Sequence, residues 1–227
     1  ATGFELDLCQ GIATDSNGDA YVTGWFKSDI LTFDGNLQLL NNNSGSQAWI
    51  FVAMISSNGT WQWARAVGHT GSYSVYGMDI VVDAADDAYI SGHFASPSIV
   101  FGSTTLQNHG SSTYDLFVAK MNSSGNWQWA ASAGGPWHDS AEDIAVDDSG
   151  RACLTGNIQS SVIFASHWGG FRGGAADVVV ACLSPSGDWQ WATSAGGEDD
   201  ILEDKGWGLA FDGEGMLHVS GYFGGDG

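Results

Sequence analysis

Basic residues are scarce in this sequence: six Lys and Arg stand against 26 Asp and Glu, for a formal net charge of −20. Phosphate contacts need clustered Lys and Arg, so nucleic-acid binding is excluded as a class, and an anionic membrane surface is disfavoured on the same ground. No apolar run approaches the roughly 20 residues that span a bilayer. The opening ATGFELDLCQG carries neither the basic nor the apolar region of a signal peptide. No membrane insertion is expected, with any leader removed or lying upstream. Cysteine is sparse too: Cys9, Cys153 and Cys182 are odd in number and far apart. That excludes a dense disulfide framework and any C-x-x-C metal site, and predicts buried free thiols. With only three prolines there are no proline-rich linkers.

What the sequence has in quantity is glycine (33) and tryptophan (11), on a 43% hydrophobic background across 227 residues. That composition supports a sizeable core with many tight turns. The excess of acid suits a soluble protein in salty or divalent-rich surroundings, where screening blunts self-repulsion. The tryptophans are organised. WQWA occurs at Trp61, Trp127 and Trp189, spaced by 66 and 62 residues. A second marker, an Asp turn followed by an apolar pair and Thr/Ser-Gly, begins at Asp15, Asp83, Asp147 and Asp212, spaced by 68, 64 and 65. Two unrelated markers thus share one period, which is the sign of a repeat architecture.

Each period reads as four strands. A short apolar first strand (GIAT, DIVVD, DIAVD, GLAFD) meets an Asp/Gly turn and a second strand ending in Thr/Ser-Gly and WF, HF, NI or YF. A long polar stretch follows, carrying Phe33, Phe101 or Phe164, then a third strand (AWIFVAMI, YDLFVAKM, ADVVVACL) and a fourth beginning WQW. The small, apolar first strand suits an innermost position, with inner strands offering mainly Ile, Ala and Val. Alternation in WQW puts both rings on one side, filling the gap between neighbouring blades. The expected fold is all-β: a β-propeller of four-stranded blades, about 65 residues each, forming one repeat domain over 1–227. Three full repeats run approximately 5–73, 74–138 and 139–203, and a half repeat covers 204–227.

The segments EDIAVDDSGRACLTG, YDLFVAKMNSSGNWQW and SAGGEDD carry a resemblance to the bacterial SBBP repeat, a β-propeller repeat family. The resemblance covers nearly the whole chain. Arg151 and Cys153 depart from the turn polar residue and strand tyrosine that are commoner there, and the first repeat lacks the terminal Gly-Gly. It implies a secreted or cell-surface protein without assigned biochemistry.

Motifs with chemistry are few. DSNGD at Asp15 starts like a calcium loop, but Phe26 holds the position of the final Glu, so a structural turn is expected. Glu198, Asp199 and Asp200 sit in an acidic loop between two repeats; a solvated loop is expected, with calcium as the alternative and no other cofactor. His138, beside Trp137 and Asp139, forms a candidate ligand contact without a nucleophile near it in sequence. Trp25, Trp137, Trp168 and Trp207 fall outside WQW and are candidates for stacking on a ligand. The reading is a non-catalytic extracellular or cell-surface scaffold for protein interaction, adhesion or assembly, with Trp137, His138 and Trp207 as binding residues. A lectin-like module is the alternative, and an enzyme with a channel site a third. A half repeat has an open strand edge, so closure by self-association or by the remainder of a longer chain is expected.

Overall fold

The computed structural model describes residues 5–34, 36–42, 47–69, 72–110, 112–197 and 202–224. Among them there is no helix. The first group of strands is β1 (Asp7–Thr14), β2 (Ala20–Phe26), β3 (Ile30–Asp34), β4 (Leu37–Leu40), β5 (Trp49–Ile55) and β6 (Trp61–Val67). The second is β7 (Val75–Val82), β8 (Ala88–Phe94), β9 (Ser98–Phe101), β10 (Thr104–Gln107), β11 (Asp115–Met121) and β12 (Trp127–Ala133). The third is β13 (Asp139–Val146), β14 (Ala152–Ile158), β15 (Val162–Phe164), β16 (His167–Gly169), β17 (Asp177–Leu183) and β18 (Trp189–Ala195); β19 (Lys205–Phe211) and β20 (Leu217–Tyr222) follow.

Three four-stranded antiparallel sheets result, β1-β2-β5-β6, β7-β8-β11-β12 and β13-β14-β17-β18, with β19-β20 as a two-stranded sheet. The first strands of successive sheets pack on one another, and the sheets stack face to face, giving a propeller-like, all-β fold. One core lies between the first and second sheets (Ile50, Val52, Trp63, Ile80, Ile90, Phe117) and another between the second and third (Tyr89, Leu116, Ile144, Leu154, Val179, Trp189). Because both faces are covered, β5, β11 and β17 are apolar along most of their length rather than alternating.

The Thr/Ser-Gly signature has a local cause. Each first strand carries a bulge near its start, which turns a carbonyl into the second strand. A Cβ on Gly24, Gly92, Gly156 or Gly221 would collide with the carbonyl of Leu8, Tyr76, Ser140 or Lys205. The preceding Thr23 and Thr155 donate their hydroxyls to Phe51 O and Val179 O, both at 3.0 Å, tying second strand to third.

Three expectations need correcting. The polar stretch carrying Phe33, Phe101 and Phe164, which the four-strand reading leaves without strands, forms a two-stranded hairpin, β3-β4, β9-β10 or β15-β16. Its phenylalanine meets the first WQW ring edge-on, at 4.9 Å for Trp61 and 4.8 Å for Trp127 and Trp189. The two WQW rings do not share a side. Ile55 pairs with Trp61 and Met54 with Trp63, so Gln62 is bulged out and the rings take opposite faces; β12 and β18 repeat the shift. The second ring reaches forward to the next sheet: Trp63 Nε1 donates to Ser123 O and Trp129 Nε1 to Pro185 O, both at 3.0 Å. Finally, the cysteines are not all free. Cys153 and Cys182 face each other across β14 and β17, fully buried, and form a disulfide, while Cys9 is an exposed thiol.

Candidate binding site

The two ends of each sheet differ in chemistry. At one end lie the turns between first and second and between third and fourth strands. There Asp15 Oδ1 accepts the amides of Asn17 and Asp19 at 2.9 Å, and Asp83, Asp147 and Asp212 do the same for their own turns. The DSNGD segment is therefore a turn. Lys120 is buried beside this end, 3.1 Å from both Asp83 Oδ2 and Asp87 Oδ2 and 4.6 Å from the Tyr89 ring centre. Burial works against its charge, yet hydrogen bonds to Tyr89, Asp87 and Asp83 hold its pKa above the ordinary lysine value.

At the other end, five rings from three successive sheets form a continuous strip. Trp25 ends β2, Tyr76 starts β7, His93 ends β8, and Tyr114 and His138 precede β11 and β13. Trp25 meets Tyr76 at 5.4 Å; Tyr76 meets His93 at 5.2 Å and Tyr114 at 5.9 Å; Tyr114 meets His93 at 5.0 Å and His138 at 5.2 Å. Lys27 caps the strip, 5.5 Å from the Trp25 ring centre. Tyr114 N–H donates to His138 Nδ1 at 3.2 Å, which fixes the exposed imidazole. Burial, then the charge of His138, push the His93 pKa down to about 4, and burial with the neighbouring Tyr76 pushes Tyr114 up to about 12. These two inner rungs are uncharged at neutral pH, on a protein whose surface is strongly acidic.

Of the sequence candidates, His138 is the last rung and Trp137 stands beside it, 60% exposed. Trp207, 63% exposed, is apart from them in β19, edge-on to Tyr222 at 5.1 Å. Trp25 is a buried rung, not an exposed platform. The Trp168 side chain and the acidic residues Glu198, Asp199 and Asp200 lie outside the described residues. The inner rungs Tyr76, His93 and Tyr114 escape sequence reading, although one signal existed: the residue after Thr/Ser-Gly is Trp25, His93, Asn157 or Tyr222, a position that points to this end in every sheet.

The inner strands also carry more than Ile, Ala and Val. Asp79 in β7 and Asp143 in β13 hydrogen-bond each other, and each reaches the next first strand: Asp79 Oδ2 accepts Ile144 N–H at 3.2 Å and Asp143 Oδ2 accepts Leu209 N–H at 2.6 Å. Burial, then the bond to Asp143, push Asp79 up to about 7. Among the described residues no three or more His, Cys, Asp and Glu side chains converge on a common point, and no helix is long and apolar enough to cross a membrane.

Residues 6–29 match the family model of the SBBP beta-propeller repeat. An uncharacterized WD repeat-containing protein of Acanthamoeba polyphaga mimivirus is 23% identical over 270 residues, covering 96% of this chain and 19% of that protein. The chain thus spans about a fifth of that relative's length. A solved protein of unknown function from Bacteroides caccae superposes with a TM-score of 0.44 at 10% identity, covering 94% of this chain and 53% of that one. Residues 6–29, which resemble the SBBP beta-propeller repeat, hold the β1-β2 hairpin, and its bulge, Asp turn and Thr/Ser-Gly step recur in β7-β8, β13-β14 and β19-β20.

Proposed function

We propose that this chain is a non-catalytic, propeller-type scaffold that binds a protein partner through its aromatic end, at an extracellular location or on a cell surface. The observation that carries the reading is the five-ring strip with exposed Trp137 and His138 at its margin. Tyr, Trp and His supply large contact area at low entropic cost and are favoured at protein interfaces. The WD repeat-containing relative adds support for a propeller-type repeat scaffold. The Cys153–Cys182 disulfide supports an oxidising compartment. Adhesion or assembly of copies is part of the same proposal. Among the described residues β20 has an unpaired outer edge, open to strand addition.

Trp207 against Tyr222 favours one second reading, glycan stacking on an exposed ring. Affinity capture and a glycan array, run in parallel on wild type, Trp137→Ala/His138→Ala and Trp207→Ala, separate the two. Protein capture lost only in the double variant supports the scaffold. Glycan binding lost only in Trp207→Ala, with capture unchanged throughout, replaces it by a lectin.

A further inference from the structure

Away from the aromatic strip, buried carboxylates come in pairs where one sheet meets the next. Asp115 opens β11 and Asp139 opens β13, and both are fully buried. Asp115 Oδ2 accepts His109 N–H at 2.8 Å and lies 2.7 Å from His109 Nδ1. Asp139 Oδ2 accepts Gly135 N–H at 2.7 Å, and its Oδ1 accepts Gln159 N–H at 3.3 Å. One sheet further on the pattern repeats. Asp177 Oδ2 accepts Arg172 N–H at 2.5 Å; Asp204 accepts Gly197 N–H at 2.9 Å through Oδ2 and Gly224 N–H at 2.8 Å through Oδ1. Each pair flanks a Gly-Gly step. A Cβ on Gly134 would collide with the Asp115 carboxylate. One on Gly196 would collide with Asp177 Oδ1 and stand 2.9 Å from Asp204 Oδ2.

The first junction is an internal comparison. Trp49 opens β5 where Asp115 opens β11, and Val75 opens β7 where Asp139 opens β13. The Trp49 ring packs against Gly68 as the Asp115 carboxylate packs against Gly134. The same backbone is built there without a carboxylate, so the acidic pairs are not a demand of the fold. Buried like charges side by side repel unless a proton or a cation lies between them. A shared proton requires hydrogen-bond contact, as between Asp79 and Asp143. Burial, and after it the charge of Asp115, push Asp139 up to about 7, and burial with the charge of Asp204 raises Asp177; within each pair the partner acts by charge rather than by a hydrogen bond.

Unsatisfied oxygens point to what lies between. Asp115 Oδ1 and Asp177 Oδ1 are buried without a partner, as are Thr113 Oγ1 and Ser160 Oγ near the 134–135 step. Thr113 Oγ1 crowds Gly110, whose Cβ position is 3.2 Å from Gly135 O. Ser160 Oγ crowds Gly135, whose Cβ position is 3.0 Å from Ser161 O and 3.7 Å from Asp139 Oδ2. Carboxylate, hydroxyl and carbonyl oxygens form the donor set of a hard cation, with water completing the shell.

We propose that the Asp115/Asp139 and Asp177/Asp204 junctions each bind a calcium-class divalent cation that bridges the two carboxylates and ties one sheet to the next. These sites rest on residues other than Glu198, Asp199 and Asp200 and are independent of the partner reading. The second junction is also wired to the strip, because Asp139 N–H donates to Tyr114 O at 2.7 Å and Gln159 N–H to His138 O at 3.1 Å. Occupancy therefore steadies the two rungs at the strip's exposed margin.

The test uses the whole chain, stripped with chelator and titrated with calcium by calorimetry, with terbium luminescence as a second readout and thermal melts alongside. Two equivalents should bind and the melting midpoint should rise. Asp115→Asn and Asp177→Asn should each lose one equivalent, and Asp79→Asn should keep both. Asp139→Asn is the substitute if Asp115→Asn fails to fold. In crystals grown with calcium, a peak 2.3–2.6 Å from both carboxylates supports the site. Water at about 2.8 Å in its place overturns it. So does calcium binding that survives Asp115→Asn and Asp177→Asn but vanishes in Glu198→Gln/Asp199→Asn/Asp200→Asn.

Discussion

Trp63→Ala removes the ring that locks the first sheet to the second. Trp63 is 9% exposed, stands edge-on to Tyr21 at 5.9 Å, and donates its indole N–H to Ser123 O at 3.0 Å. Truncating a buried Trp costs about 3–5 kcal/mol through lost transfer energy and the cavity left behind. Ser123 O also loses its donor, so the upper half of that range applies, about 4 kcal/mol. The equivalent ring of the third sheet is the control. Trp191 is 37% exposed, and Cys153, bonded to Cys182, occupies the position of Tyr21. Scaled to its remaining burial, Trp191→Ala should cost about 2 kcal/mol. Urea unfolding should therefore separate the two variants by about 2 kcal/mol at equal m, and melts by roughly 4–8 °C. Equal losses for Trp63→Ala and Trp191→Ala would refute the idea that forward-facing rings hold sheet to sheet.

Three further outcomes follow from buried charge and from sulfur. The Asp79 pKa is raised to about 7 in the folded protein from 3.8, so the folded state binds the extra proton, and stability should fall as pH rises between about 4 and 7. In Asp79→Asn the slope should shrink by up to ~1.4 kcal/mol per pH unit, and the remainder belongs to Asp139, which burial also raises to about 7, as followed by melts across that range. Lys120→Met leaves Asp83 and Asp87 without their buried cation and should cost about 3–5 kcal/mol. Breaking the more exposed Lys205–Glu203 pair should cost under about 1 kcal/mol in the same denaturant assay. Unfolded without reductant, the chain should expose one reactive thiol, Cys9, rather than three; reduction of the Cys153–Cys182 bridge, which closes a 29-residue separation, should cost about 3–4 kcal/mol.

The Asp turns, the Thr/Ser-Gly steps and the apolar third strands were legible in the sequence because local sterics and hydrogen bonding set them. What stayed hidden depends on register and on contacts between sheets. WQW alternates like an ordinary strand, and only the pairing of Ile55 with Trp61 and Met54 with Trp63 shows that Gln62 is bulged and the rings part. Phe33, Phe101 and Phe164 sit in polar surroundings and become core residues because their hairpins fold back onto a tryptophan. Cys153 and Cys182 are unremarkable 29 residues apart until register places them opposite one another. The aromatic strip was half legible. His138 and Trp137 stood out as a cluster, whereas Tyr76, His93 and Tyr114 come from separate elements and share no spacing. The acidic junctions were harder still, since Asp115 and Asp177 look like ordinary strand ends and gain meaning only beside Trp49 at the same position.

The claim at the centre is that the aromatic end is where a partner sits. Oxidative footprinting of the chain, free and in complex with a captured partner, reads this at side-chain level. Protection should appear at Trp137, His138 and Tyr114, with the turn-end residues Asp148, Met216 and Glu214 oxidised or exchanged as in the free chain. Protection confined to those turns, with Trp137 and His138 unchanged, would contradict it.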